Sequence, residues 1–175
     1  MKKIILFLFL LLSVLFLGYL MLPGYSFPNP PPDAVQSMEG ADTETSLRRG
    51  YFTDYNREQV LDYYQNQINK SSFLNLPMPT LRLNYPPEDA QTLIRDQTHS
   101  VYLQEFVHPL RESVYVNGFR YESEDGTWYK GVHYYQKIII RFVPSGYLPR
   151  LVVGFFIMLS IALLYREAKT ITKYD

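Results

Sequence analysis

Two long apolar runs bracket a stretch in which hydrophobic and polar positions alternate on shorter periods. The first run, Ile4 to Leu22, covers 19 residues, with Ser13, Gly18 and Tyr19 its only interruptions. At ~1.5 Å of rise per residue it reaches nearly across a hydrocarbon core of ~30 Å. The second, Leu151 to Tyr165, has 15 apolar residues and extends backward through Tyr147 and Leu148. Pro149 is tolerated there because the amide of a first helical turn has no intrahelical acceptor. We therefore read residues 4–22 and 147–165 as transmembrane helices.

Each run has a competing reading. A cleaved signal peptide requires a short apolar stretch followed by small residues. Here the stretch is long and the first alanine, Ala34, comes only after a run of prolines. A buried core helix would carry a polar face, and the second run has none for four turns.

Between the runs the periods change. Pro28, Pro30, Pro31 and Pro32 favour extended polyproline II backbone. With the polar, acidic stretch behind them, they predict a spacer and loop over residues 23–49. Gly50 to Thr53 predicts a short strand. Asn56, with Gln59 three residues on, is a capping-box start. Val60, Leu61, Tyr64 and Ile68 then share one face, which predicts a helix from Asn56 to Asn69 with Tyr63 at its edge. Leu81 to Tyr85 reads as a strand and Pro87 to Asp96 as a second helix.

From residue 101 the period is two, with Val101, Leu103 and Glu105 on one face and Tyr102, Gln104 and Phe106 on the other. Strands follow at Arg111 to Val116 and at Val132 to Val143, and Asn117-Gly118 predicts a type I′ hairpin turn. This order predicts an α+β domain over residues 50–145, an antiparallel sheet with two helices on one face.

Charge adds topology. Lys2 and Lys3 precede the first run, and Arg166, Lys169 and Lys173 follow the second. Basic residues beside spans are retained on the cytoplasmic side. Residues 1–3 and the basic tail 166–175 are then cytoplasmic, and the domain between the two spans is extracytoplasmic. From Pro23 to Ser145 there are 11 Lys plus Arg against 15 Asp plus Glu, a net charge of −4 that agrees with this arrangement. Tyr147, Arg150 and Tyr165 are placed at the membrane interfaces, with Arg150 reaching toward headgroups. Gly154, Ser160 and Ala162 are small enough to let another helix approach.

Candidate chemistry is sparse. The chain has no cysteine, which excludes disulfides and thiolate metal sites. There is no Gly-rich phosphate loop, HExxH or GxSxG. Neutral net charge gives no basic footprint for nucleic acid. The densest polar group is Arg95, Asp96, His99, Glu105, His108, Arg111 and Glu112, around a bend at Pro109. It suits either a general acid–base site or charge pairing that fixes the bend. Glu105 and His108 fall on opposite faces of a strand, so no metal site is expected, and no cofactor is implied. Asn69-Lys70-Ser71 matches a glycosylation sequon.

These observations point first to a non-enzymatic, membrane-anchored binding or scaffold protein of the cell envelope. Its expected partners are the lipid bilayer and another membrane or envelope protein. Two alternatives stand beside it. One is a sensor subunit that signals through the second span. The other is a membrane-bound hydrolase or transferase using Asp96, His99, Glu105, His108, Arg111 and Glu112.

Overall fold

A computed structural model of the chain describes residues 2–70, 77–85, 103–120 and 125–171. It divides into two compact units, one of Met1–Gly24 with Ser145–Asp175 and one of Tyr25–Pro144. Each is taken by itself.

The central unit is an α+β fold built on an antiparallel sheet. Its strands are β1 (Val35–Gln36), β2 (Arg48–Thr53), β3 (Leu81–Tyr85), β4 (Leu103–Val107), β5 (Ser113–Asn117) and β8 (Gln136–Val143), in the order β1-β2-β8-β5-β4-β3. A separate hairpin joins β6 (Thr127–Tyr129) to β7 (Val132–Tyr134). Between the two apolar terminal helices, the α-helix among the described residues is α2 (Arg57–Lys70).

Helix α2 begins where the capping box predicts. The Gln59 amide donates to Asn56 Oδ1 at 2.9 Å, and the Asn56 amide donates to Gln59 Oε1 at 2.8 Å. Two amides of the first turn, which lack intrahelical acceptors, are thereby satisfied. Its buried residues are Val60, Leu61, Tyr64 and Ile68, the face read from the 3.6-residue period. Tyr63 sits at the edge, its ring 5.3 Å from that of Tyr64. This face covers the sheet rows Phe106–Val114–Phe142, Val116–Ile140 and Tyr51–Ile138, which register places side by side. Neighbouring side chains on one face of a sheet pack as cross-strand pairs, so alternation along each strand becomes a continuous apolar layer.

Several expectations shift. The proline-rich stretch does not stand off as a spacer. Phe27 and Ala34 pack against the core, and Pro30 O accepts from the Tyr63 hydroxyl at 2.7 Å. The Asp33 carboxylate accepts from the Thr53 hydroxyl at 2.8 Å and the Asp54 amide at 2.7 Å. The sheet therefore gains β1 and the extra residues Arg48 and Arg49 from a segment that composition alone assigns to loop.

Asn117-Gly118 does not form the predicted hairpin. A type I′ turn needs positive φ at both central residues. Gly118 has it at 83°, but Asn117 stays in the ladder opposite Ile139. The two-residue turn lies instead at Lys130-Gly131, with φ of 50° and 80°, closing β6 onto β7.

The long strand predicted over 132–143 is broken at Tyr135. Its amide donates to Asp54 Oδ1 at 3.0 Å while Gln136 Nε2 donates to Tyr55 O at 2.7 Å, and the halves join different sheets. Leu103 to Phe106 is buried on both faces rather than on one. The predicted helix over 87–96, with Val101 and Tyr102, lies outside the described residues.

The other unit holds α1 (Lys2–Met21) and α3 (Tyr147–Ile171), both long and apolar enough to cross a membrane. Helix α3 continues six residues beyond the predicted end of the span, through Arg166 and Lys169. The helices meet where Gly154 lies under Leu20, and Phe16 is 3.3 Å from where a Cβ on Gly154 would sit. A side chain there would collide with Leu20, so a small residue is what lets the backbones approach.

Candidate functional site

The β4–β5 turn gathers part of the predicted polar cluster. The Arg111 amide donates to His108 O at 2.8 Å, with Pro109 and Leu110 between them. Leu110 has φ of 60°, where a type II turn ordinarily places glycine or asparagine. Pro109 presets its own φ at the first central position of the turn, and the positive φ at Leu110 turns the chain sharply enough to bring three side chains together.

Arg111 Nη2 lies 3.1 Å from Glu112 Oε1, and both side chains are 2% exposed. Glu112 Oε1 also accepts from the Tyr25 amide at 3.3 Å. The Tyr25 ring stands edge-on to His108 at 4.5 Å, with the Arg111 guanidinium 5.5 Å from its centre. The turn is thus tied to the first residue of the domain.

His108 is 1% exposed, with Nε2 3.0 Å from Thr80 Oγ1. The Thr80 hydroxyl donates to Asn69 Oδ1 at 2.8 Å, so it accepts from a protonated His108 Nε2. Nδ1 then carries the lone pair, buried and without a hydrogen-bond partner among the described residues. Burial, helped by the Arg111 charge, lowers the His108 pKa to about 4. The imidazole is neutral at pH 7. General bases work best with a pKa near the operating pH, and this one is displaced from that range and enclosed. Its contacts hold the bend in place, through Thr80 on one side and the Tyr25 ring on the other.

Glu105 does not converge on this group by register. It pairs with Tyr115 and Leu83 across the sheet, on the face opposite Phe106. Arg95, Asp96 and His99 lie outside the described residues. Of the interface residues, Lys3 is on α1, and Tyr147, Arg150, Tyr165, Arg166 and Lys169 are on α3. Lys2 begins α1, and Lys173 is outside the described residues.

Arg150 occupies an unexpected place. It is 3% exposed, its guanidinium turned onto main-chain oxygens. Nη1 donates to Leu20 O at 3.4 Å and Leu22 O at 3.2 Å, and Nη2 donates to Ser145 O at 2.7 Å. The last carbonyls of a helix lack intrahelical donors and carry its negative dipole end, so one cation caps α1 while belonging to α3.

Two further features have no local sequence signal. Lys137 Nζ bridges Asp42 Oδ2 at 2.6 Å and Glu39 Oε2 at 2.7 Å. Burial opposes the ammonium, but the two carboxylates outweigh it and the Lys137 pKa is raised. Gly50 makes room for this ion pair, since a Cβ there would sit 2.6 Å from Asp42 Cγ. On the same sheet face Tyr129 stacks on Phe52, ring centres 4.2 Å apart and 13° from parallel. That anchors the β6–β7 hairpin and turns Trp128 outward, 71% exposed, with His133 beside it at 5.1 Å.

Among the described residues no group of three or more His, Asp or Glu is placed to hold a metal ion. No protein-family model, curated protein or solved structure matches this chain.

Proposed function

We propose that the protein is a membrane-anchored binding or scaffold subunit of the cell envelope, held by α1 and α3, with its domain on the extracytoplasmic side. The observation that carries this reading is the outward apolar surface of the two helices. Leu6, Phe7 and Leu12 are 58–64% exposed on α1, and Phe155, Phe156 and Leu164 are 57–69% exposed on α3. Exposed apolar area on this scale is stable against lipid and unstable in water. The basic residues outside the two runs, against the −4 of the intervening chain, support the orientation.

Trp128 is the contact residue we assign on the domain. An exposed tryptophan on an anchored hairpin offers large area with little ordering cost, the property that enriches this residue at protein interfaces.

Three measurements test the reading. Alkaline carbonate should leave the chain in the membrane pellet. Protease added to intact cells should cut the domain and spare residues 166–175. After mild detergent extraction, a partner should co-purify with the wild type and be lost from Trp128→Ala. Release by carbonate overturns the anchoring. A monodisperse monomer with no partner under several conditions overturns the scaffold role.

A further inference from the structure

One end of the central sheet carries an aliphatic rim. Leu81, Val107, Ser113 and Val143 form the last row of cross-strand partners on β3, β4, β5 and β8. The β4–β5 turn continues beyond this row and carries Leu110. Leu47, whose carbonyl accepts from the Phe142 amide at 2.8 Å, comes to the same end just before β2. Leu47, Leu81, Leu110 and Val143 are 38–51% exposed. The charged side chains of the turn, Arg111 and Glu112, are each only 2% exposed.

Leu110 is poorly explained by the fold alone. Its φ of 60° is one that glycine or asparagine adopts at less cost. At 40% exposure it gains little burial within the domain to offset that strain. Contact with something outside the domain supplies the missing burial.

The chain itself limits what that contact is. Helix α1 ends at Met21, and only Leu22, Pro23 and Gly24 precede Tyr25, which the turn holds through the Glu112 carboxylate and the His108 ring. Strand β8 ends at Val143, and only Pro144, Ser145 and Gly146 precede α3. Four steps of extended chain span at most ~14 Å. Both connections to the apolar helices therefore leave the domain from the end that carries the rim.

We propose that this rim is a lipid-contact surface, with Leu110 and Val143 entering the headgroup layer of the bilayer that holds α1 and α3. The inference rests on the reading of α1 and α3 as membrane spans. A headgroup layer is roughly 5–8 Å thick, comparable to the reach of the two connections. Aliphatic side chains without exposed charge beside them are stable at the boundary of headgroups and acyl chains.

The absence of native cysteine lets single nitroxide labels be placed in the full chain at Leu110→Cys, Val143→Cys, Trp128→Cys and Phe155→Cys, each reconstituted in dioleoyl phosphatidylcholine vesicles. Collision with oxygen, which concentrates in lipid, is compared with collision with a neutral nickel chelate, which stays in water. The oxygen-to-nickel ratio at Leu110→Cys and Val143→Cys should be several-fold above that at Trp128→Cys and below that at Phe155→Cys on α3. Leu110→Asn, which accommodates the same φ, should lower the ratio at Val143→Cys without lowering the thermal midpoint of the domain.

A ratio at Leu110→Cys and Val143→Cys equal to that at Trp128→Cys overturns the proposal. Shielding of both labels from oxygen and nickel alike would assign the rim to a second copy or a protein partner and overturn it as well. So would a Val143→Cys ratio that Leu110→Asn leaves unchanged. A Phe155→Cys label as open to nickel as Trp128→Cys instead overturns the membrane reading beneath it.

Discussion

Glu112 Oε1 and Arg111 Nη2 stand 3.1 Å apart at the β4–β5 turn, between side chains that are each 2% exposed. The two residues are adjacent in sequence, directly after the sharp turn at Leu110. The same carboxylate holds the Tyr25 amide, so one acid fixes both a hairpin and the entry of the chain into the domain. Replacing it removes a counter-charge from an enclosed guanidinium. Glu112→Gln should cost about 3 kcal/mol in urea unfolding of the full chain in detergent. The double variant Arg111→Met with Glu112→Leu should cost less than the single one, because it leaves no enclosed charge.

His108 makes stability depend on pH. Its folded pKa of about 4 lies below the unfolded value of 6.5, so below pH 6.5 the unfolded chain takes up a proton that the folded one refuses. Stability from this group is complete above 6.5 and is lost as pH falls toward 4. The loss across that window should be roughly 2–3 kcal/mol. His108→Gln, which keeps a donor for Thr80, should flatten the profile between pH 7 and pH 4. An unchanged slope would show that His108 is not its source.

Lys137 is the hub of a second buried pairing. Its ammonium is 2.6 Å from Asp42, whose side chain is 2% exposed. Lys137→Met should destabilise the domain by about 2 kcal/mol, through the carboxylate left behind. In a double-mutant cycle with Asp42→Asn the two losses should not add, since both remove one interaction.

Arg150 should govern how α1 and α3 meet. The chain has no native cysteine, so a pair introduced as Phe9→Cys and Ala162→Cys, residues that line one groove between the helices, reports their approach. Arg150→Gln, which frees the carbonyls of Leu20 and Leu22, should lower the crosslinking yield several-fold. An undiminished yield would show that Gly154 packing alone holds the pair.

The start of α2 gives a calibrating measurement. Asn56→Ala should cost about 1 kcal/mol, the usual worth of an N-cap. Gln59→Ala should cost little more in that background, because the two side chains act reciprocally.

Elements with a strong repeating pattern were legible in the chain. The face of α2 was written as Val60, Leu61, Tyr64 and Ile68, and its start as Asn56 and Gln59. Leu81 to Tyr85 was bounded by prolines that cannot donate to a ladder. His108, Arg111 and Glu112 were singled out as a group because three polar residues around a proline are conspicuous. That they close on Tyr25 and Thr80, 83 and 28 residues before His108 in sequence, was not legible.

Sequence by itself determined the two membrane-competent helices, the amphipathic helix between them and the alternating strands. These depend on residues within a few positions of one another, where burial and backbone period act together. Tertiary structure decided what local pattern leaves degenerate. It folded the proline-rich segment onto the core, moved the two-residue turn from Asn117-Gly118 to Lys130-Gly131, and drew Asp42 to Lys137. It also set the Arg150 guanidinium on the carbonyls at the end of α1. A charged or aromatic side chain takes the partner that most fully replaces its hydration, and that partner is set by which segments the sheet and the helix pair bring near.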